Sequence, residues 1–351
     1  VKNIIVLGGG YGGLTAVQEL LTGIPADVRV TLVDRMPFGS LKTEYYALAA
    51  GTVSELEVRV GFPSHPQLQI VYGEIIGISF EERAVYLLNN DPLFYDSLIV
   101  ALGCTDNYHG IPGAAEYTAS VQTLASTRRT YQLLNDVRPY GQVSIIGGGL
   151  SGVEVASELR ESRPDLNIRI LDRSSLMSAF PTRLQKYVAE WFSEHHVELR
   201  SGIHTSRIEG GIIYNGDEEI VGDVAVWTAG IQPVKLVQDL QLPKDNQGRL
   251  IVNEFHELPD APDVFVIGDC SSQPFSPSGQ LAQAQAHQVV QVLHARWHNK
   301  TIKLPRIQLK GTVGSLGKKS GFALMGKTSL MGRIPRMLKS GVLWKSRRHF
   351  G

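Results

Sequence analysis

The chain opens on an almost unbroken apolar run, Ile4-Ile5-Val6-Leu7, that stops at three glycines. The same pattern returns at Val143-Ser144-Ile145-Ile146, which stops at Gly147-Gly148-Gly149. Each run is short and β-branched, which predicts a buried strand. Beyond the glycines, Leu14, Val17, Leu20 and Leu21 have helical spacing, as do Val153, Val155, Ala156 and Leu159. Pro25 and Pro164 follow, where each helix is expected to stop. Each copy then returns to a second apolar run that ends in an aspartate, Asp34 or Asp172. Residues 2–34 and 142–172 are therefore an internal repeat of strand, glycine turn, helix and strand.

The glycines have mechanical reasons. Gly8, Gly10 and Gly13 form GxGxxG, as do Gly147, Gly149 and Gly152. The first glycine permits a tight strand-to-helix turn, the second lets backbone approach a pyrophosphate, and the third lets helix pack on strand. The helix start then offers unpaired N–H groups and a positive dipole end to phosphates. Asp34 lies 26 residues after Gly8, and Asp172 lies 25 after Gly147, where a carboxylate can accept from ribose hydroxyls. One such motif is weak evidence; two in register predict two dinucleotide sites. Two sites in one chain point to different nucleotides that must meet, a resident flavin dinucleotide and an exchangeable nicotinamide. The carboxylate of Asp172 favours NADH, because a 2′-phosphate would meet like charge, although Arg173 is placed to hold one.

Composition narrows the class. At 351 residues, with 43% apolar and 19% charged positions, the chain is globular and long enough for two or more domains. No window of about 18 apolar residues predicts a spanning helix, and because Val1 leads straight into a strand no signal peptide is expected. Cys104 and Cys270 cannot build a disulfide framework, and no CxxC supports dithiol chemistry, so a reducing cytosol fits. Both cysteines read as small buried apolar residues. The ten histidines lack metal-site spacing, and no metal is expected. Net charge is zero, yet the 82 residues after Asp269 hold no acid and carry 14 Lys and Arg. A basic tail on an acidic body points to an anionic partner.

With these motifs in place, the chain resembles the two-dinucleotide-binding flavoproteins, and within them the type II NADH dehydrogenases (NADH:quinone oxidoreductases). Leu98–Gly103 resembles the strand leaving the FAD domain, Val226–Pro233 the crossing back from the NAD domain, and Val264–Asp269 the second FAD motif. The resemblance implies an α/β fold with two Rossmann-like domains. The FAD domain would be discontinuous, residues 1–111 and 233–300, with the NAD domain inserted at 112–232. Residues 301–351 would form a separate basic membrane-association segment. It implies FAD contacts from Gly8, Gly10, Gly13, Asp34, Lys42, Thr43, Ala101, Gly268, Asp269 and Ala282. It implies NADH contacts from Gly147, Gly149, Gly152, Glu154, Asp172 and Gly230, with Glu154 beside the nicotinamide.

The acceptor is harder to read. Gln280–Gln288 resembles the family's quinone-site helix: Ala282, Gln283 and Gln288 match, while Gln285 and His287 replace an alanine and a glutamine. Gln283 is expected at the quinone carbonyls and His287 as a proton donor. Leu330, Met331, Ile334, Met337, Leu338 and Val342 recur at helical spacing among Arg333, Arg336, Lys339 and Lys345, as in a basic helix lying on anionic lipid. The leading expectation is a peripheral enzyme on the cytoplasmic side of the membrane, able to form a homodimer, that reduces menaquinone or ubiquinone without pumping protons. The alternatives are a reductase of a small acidic iron–sulfur or rubredoxin-like protein and an NADH-responsive flavoprotein switch. Nucleic acid is not expected as a partner, because no aromatic-interleaved basic motif occurs.

Overall fold

The computed structural model describes residues 2–350; the side chains of Val342 and of residues 345–350, and with them the expected roles of Val342 and Lys345, lie outside the described residues. Strand Lys2–Leu7 sits inside a six-stranded sheet, in the spatial order Glu257–Leu258, Ala261–Val266, Ser97–Val100, Lys2–Leu7, Val28–Asp34, Leu68–Tyr72. All neighbours are parallel except the edge strand Glu257–Leu258. The apolar run is unbroken because both faces are covered. Ile4 and Val6 point into one core with helices Tyr11–Leu21 and Gly279–Trp297. Ile5 and Leu7 point into another, beneath the antiparallel strands Ile75–Ser79, Ala84–Leu87 and Leu93–Phe94.

The repeat extends to topology. A second, five-stranded parallel sheet runs Ala119–Ser120, Val224–Trp227, Gln142–Ile146, Asn167–Leu171, Val197–Arg200. In both sheets the first strand of the repeat lies between its second strand and the strand that ends the unit. Both units also carry a three-stranded antiparallel sheet just before that last strand, here Thr205–Glu209, Ile212–Asn215 and Glu218–Val221. The chain passes between the units twice, and the two passages pair as antiparallel strands, Cys104–Asp106 against Ile231–Pro233.

The C-terminal strands Thr312–Leu316, Ser320–Met325 and Thr328–Gly332 form an antiparallel sheet followed by helix Arg333–Phe350. Among the described residues this segment has no core cluster of its own. Leu316 and Phe322 are fully buried with Val153, Val155 and Leu159 of helix Leu150–Ser162, and each contributes roughly 1.5–3 kcal/mol by leaving water. Gly314 is needed here, because a methyl group at that position would lie 2.3 Å from the Phe322 ring. Apolar burial packs the sheet of this segment, expected as a separate unit, against the second repeat.

Candidate active site

The two glycine turns lie at the carboxyl ends of parallel strands, where open α/β sheets bind ligands. A Cβ on Gly13 would stand 1.8 Å from the Gly8 carbonyl oxygen, and one on Gly152 would stand 1.9 Å from that of Gly147. Gly8 and Gly147 have φ of +97° and +110° and press against Ala101 and Thr228. By contrast, a Cβ on Gly10 or Gly149 would meet nothing within 4 Å. The third glycine of each set serves the protein's own packing, while the second faces open space. Gly10 and Gly149 are also the N-caps, and no side chain caps either helix, so both helix starts are open to phosphate oxygens. The residues present fit two dinucleotides.

The aspartates reinforce the parallel. Asp34 accepts from the Gly9 N–H at 2.6 Å and the Met36 N–H at 2.8 Å. Asp172 accepts from the Gly148 N–H at 2.5 Å and the Ser174 N–H at 2.7 Å. Each carboxylate thus locks its glycine turn to the end of the second strand and keeps lone pairs for ribose hydroxyls. Asp269 stands in the short turn Gly268–Cys270 at the end of strand Ala261–Val266. Ala282 packs against Gly268 and Gly12, which lets helix Gly279–Trp297 close on the first turn. Thr43 reaches the same end through a 2.7 Å hydrogen bond to Tyr11, the first residue of the helix that follows Gly10. Gly230, at φ +149°, lies under His109, whose ring bonds the Ala229 carbonyl at 2.9 Å.

Where the units meet, Lys42 Nζ lies 3.2 Å from the Cys104 sulfur and 3.3 Å from its carbonyl oxygen. Burial pushes the Cys104 thiol up to about 12 and raises that of Cys270 as well, so both stay protonated at neutral pH. Asp106, on the same strand, is buried, accepts from Ser120 and Tyr108, and keeps one carboxylate oxygen without a partner. Its pKa is raised, chiefly by burial.

The three expected catalytic residues, Glu154, His287 and Gln283, sit in different surroundings. Glu154 is buried, but its carboxylate is held from the C-terminal segment: it pairs with Lys339 and accepts from the Ser315 N–H at 3.0 Å. Helix Arg333–Phe350 therefore reaches a residue just past the second glycine motif. His287 points outward, about half exposed, and pairs with Glu19 of the first helix, so it is not aimed at the cofactor end as a proton donor would be. Gln283, one turn before His287, is half-buried. Gln285, fully buried, accepts from the Gly268 N–H at 2.7 Å and so shapes the turn that carries Asp269; its own amide nitrogen has no partner. Sequence reading missed Glu44, Tyr46 and Ser315, which converge on Glu154. The only signal was a lone acid before the otherwise apolar stretch Tyr45–Ala50. Among the described residues no His, Cys, Asp or Glu cluster could hold a metal ion, and no helix is long and apolar enough to cross a membrane.

Comparison with known proteins agrees with this geometry. Residues 2–289 match the family model described as pyridine nucleotide-disulphide oxidoreductase. The chain is 50% identical to the NADH dehydrogenase-like protein YutJ of Bacillus subtilis over the full length of both. It is 25% identical to the type II NADH:quinone oxidoreductase of Staphylococcus saprophyticus, covering 96% of this chain and 93% of that one. Among solved structures, NDH2 of Plasmodium falciparum in complex with NADH shares the fold, with a TM-score of 0.85 at 18% identity over 99% of this chain and 96% of that one. The sulfide:quinone oxidoreductase of Aquifex aeolicus scores 0.84 at 18% identity, covering 99% and 92%. The cofactors are FAD and NADH, the repeat is the two-dinucleotide-binding flavoprotein fold, and the chain belongs to the pyridine nucleotide-disulphide oxidoreductase family.

Proposed function

We propose that this NADH-dependent flavoprotein passes electrons to a membrane quinone. The observation that carries the reading is the two-sidedness of helix Arg333–Phe350. Ile334, Met337 and Leu338 are exposed, and Lys318, Lys319, Arg333 and Arg336 line a shallow groove beside them. On its other side the same helix buries Lys339 against Glu154. One element thus offers apolar and cationic groups to an anionic bilayer and a charge to the second nucleotide motif. The hydride-accepting and electron-releasing chemistry would be supplied by bound FAD. The protein's part is to seat the pyrophosphates on Gly10 and Gly149, anchor the glycine turns through Asp34 and Asp172, and bring the two units together along the Cys104–Asp106 ladder. Thiol chemistry is disfavoured because burial keeps Cys104 and Cys270 protonated.

The holoenzyme should oxidise NADH with a soluble quinone analogue at on the order of 10 per second, and bind anionic but not neutral vesicles at low salt. Turnover with a ferredoxin or rubredoxin and none with quinone would replace this reading with that of a protein reductase docking an acidic partner.

A further inference from the structure

The polar cluster around Glu154 is larger than the Lys339 pair. Glu44 ends the turn Lys42–Glu44 and is only 5% exposed. The Tyr46 hydroxyl lies 3.3 Å from Glu44 Oε1, the Ser315 hydroxyl 3.0 Å from that of Tyr46, and Glu154 Oε1 3.3 Å from the Ser315 hydroxyl. These four side chains come from three distant segments and form one continuous hydrogen-bonded file. Lys339 closes it from the side, its ammonium paired with Glu154, 3.3 Å from Ser315 Oγ and 4.2 Å above the Tyr46 ring. We propose that Glu44 stores the solvent-derived proton needed for acceptor reduction and that Tyr46 and Ser315 pass it to Glu154.

This rests on the quinone reading, because only a proton-accepting acceptor needs the proton. In NADH + H⁺ + quinone → NAD⁺ + quinol, the nicotinamide loses two electrons and one proton as a hydride. The quinone gains two electrons and two protons, so one proton must come from solvent. With Glu44 protonated, the hydroxyls can all point one way: Glu44 donates to Tyr46, Tyr46 to Ser315, and Ser315 to the Glu154 carboxylate. Breaking each O–H bond while forming the next leaves Glu44 a carboxylate and Glu154 a carboxylic acid, which supplies the acceptor. The groups facing Glu44 are Lys339 and Arg336 from the C-terminal helix, Glu154 and Glu158 from helix Leu150–Ser162, Tyr11 from the first helix, and Tyr46 from the adjoining helix. Burial outweighs the two cations and holds the Glu44 carboxyl at about 7, so the reservoir is part-filled at neutral pH.

The test compares a quinone analogue with ferricyanide, a one-electron acceptor that takes up no proton, using full-length flavin-loaded protein. Wild-type quinone turnover should fall as pH rises through about 7, where Glu44 empties. Glu44→Gln should lower quinone turnover at least ~10-fold and abolish that limb, while ferricyanide turnover stays within about twofold. Tyr46→Phe should show the same selective loss, and Glu44→Asp should recover part of the rate with a shifted limb. An unchanged quinone rate and pH profile in Glu44→Gln overturns the proposal. So does an equal loss with both acceptors in Glu44→Gln and Glu44→Asp alike, which marks a structural role. A wild-type enzyme that reduces ferricyanide but no quinone rejects the quinone reading and this proposal with it.

Discussion

The glycine motifs allow the cofactor's needs to be separated from those of the fold. At Gly10, φ is −84° and ψ is −166°, an extended conformation open to alanine, and a methyl group there would touch nothing within 4 Å. The entropy gained by restricting the unfolded chain, roughly 0.4–1 kcal/mol, is offset by the poorer N-cap, a cost of a few tenths or more. Gly10→Ala should therefore leave the stability of flavin-free protein within about 1 kcal/mol of wild type. The same methyl would stand where the pyrophosphate must approach. Loss of one hydrogen bond to a charged group costs about 1.5–3 kcal/mol, so flavin affinity should fall roughly 10- to 150-fold. At Gly13 the prediction reverses. A methyl 1.8 Å from the Gly8 oxygen cannot be accommodated without moving the helix off the strand, at a cost of about 3 kcal/mol or more. Urea unfolding of the deflavinated variants and fluorescence titration with FAD measure both quantities. Normal flavin affinity in Gly10→Ala, or wild-type stability in Gly13→Ala, would refute the assignment of open and closed glycines. Gly149 and Gly152 should repeat the contrast, read as the KM for NADH.

Two further outcomes follow from the buried charges. Lys339→Met leaves Glu154 buried without its counter-charge and should cost about 3–5 kcal/mol in urea unfolding, whereas Lys339→Met with Glu154→Gln should recover much of it; additive costs would show that the pair does not couple. Glu44 has its carboxyl raised by burial from 4.5 to about 7, so the folded state holds the proton more tightly; its stabilising contribution is complete below pH 4.5 and lost as pH rises through about 7. Glu44→Gln should therefore gain about 3 kcal/mol on wild type at pH 8 relative to pH 4, and equal stability differences at the two pH values would refute the shift.

What could be read from the chain alone depends on whether backbone or side-chain pairing carries the chemistry. Gly8, Gly13, Gly147 and Gly152 act through their lack of a side chain and within one turn, so a short motif displays their whole purpose. Asp34 and Asp172 bind the turn that precedes their own strand and are legible from spacing. The Glu154–Lys339 pair joins residues 185 positions apart, and no local pattern encodes it. Helical periodicity even hid it, because a lysine among Arg333, Arg336 and Met337 belongs on the solvent face unless a buried acid waits on the other. Here one does, so the helix exposes Ile334, Met337 and Leu338 and buries Lys339, inverting the usual pattern. The surroundings of the individual residues in Gln280–Gln288 are hidden from the sequence for a related reason. Resemblance ranks positions without showing which are buried: Gln285 is fully buried against the Gly268 N–H, while His287 is half exposed beside Glu19. An apolar-and-basic face exposed on one side and a lysine buried on the other make sense together only if the helix has work on both sides. That inversion, more than any motif, ties the C-terminal segment to the second glycine motif while leaving its other face at the surface.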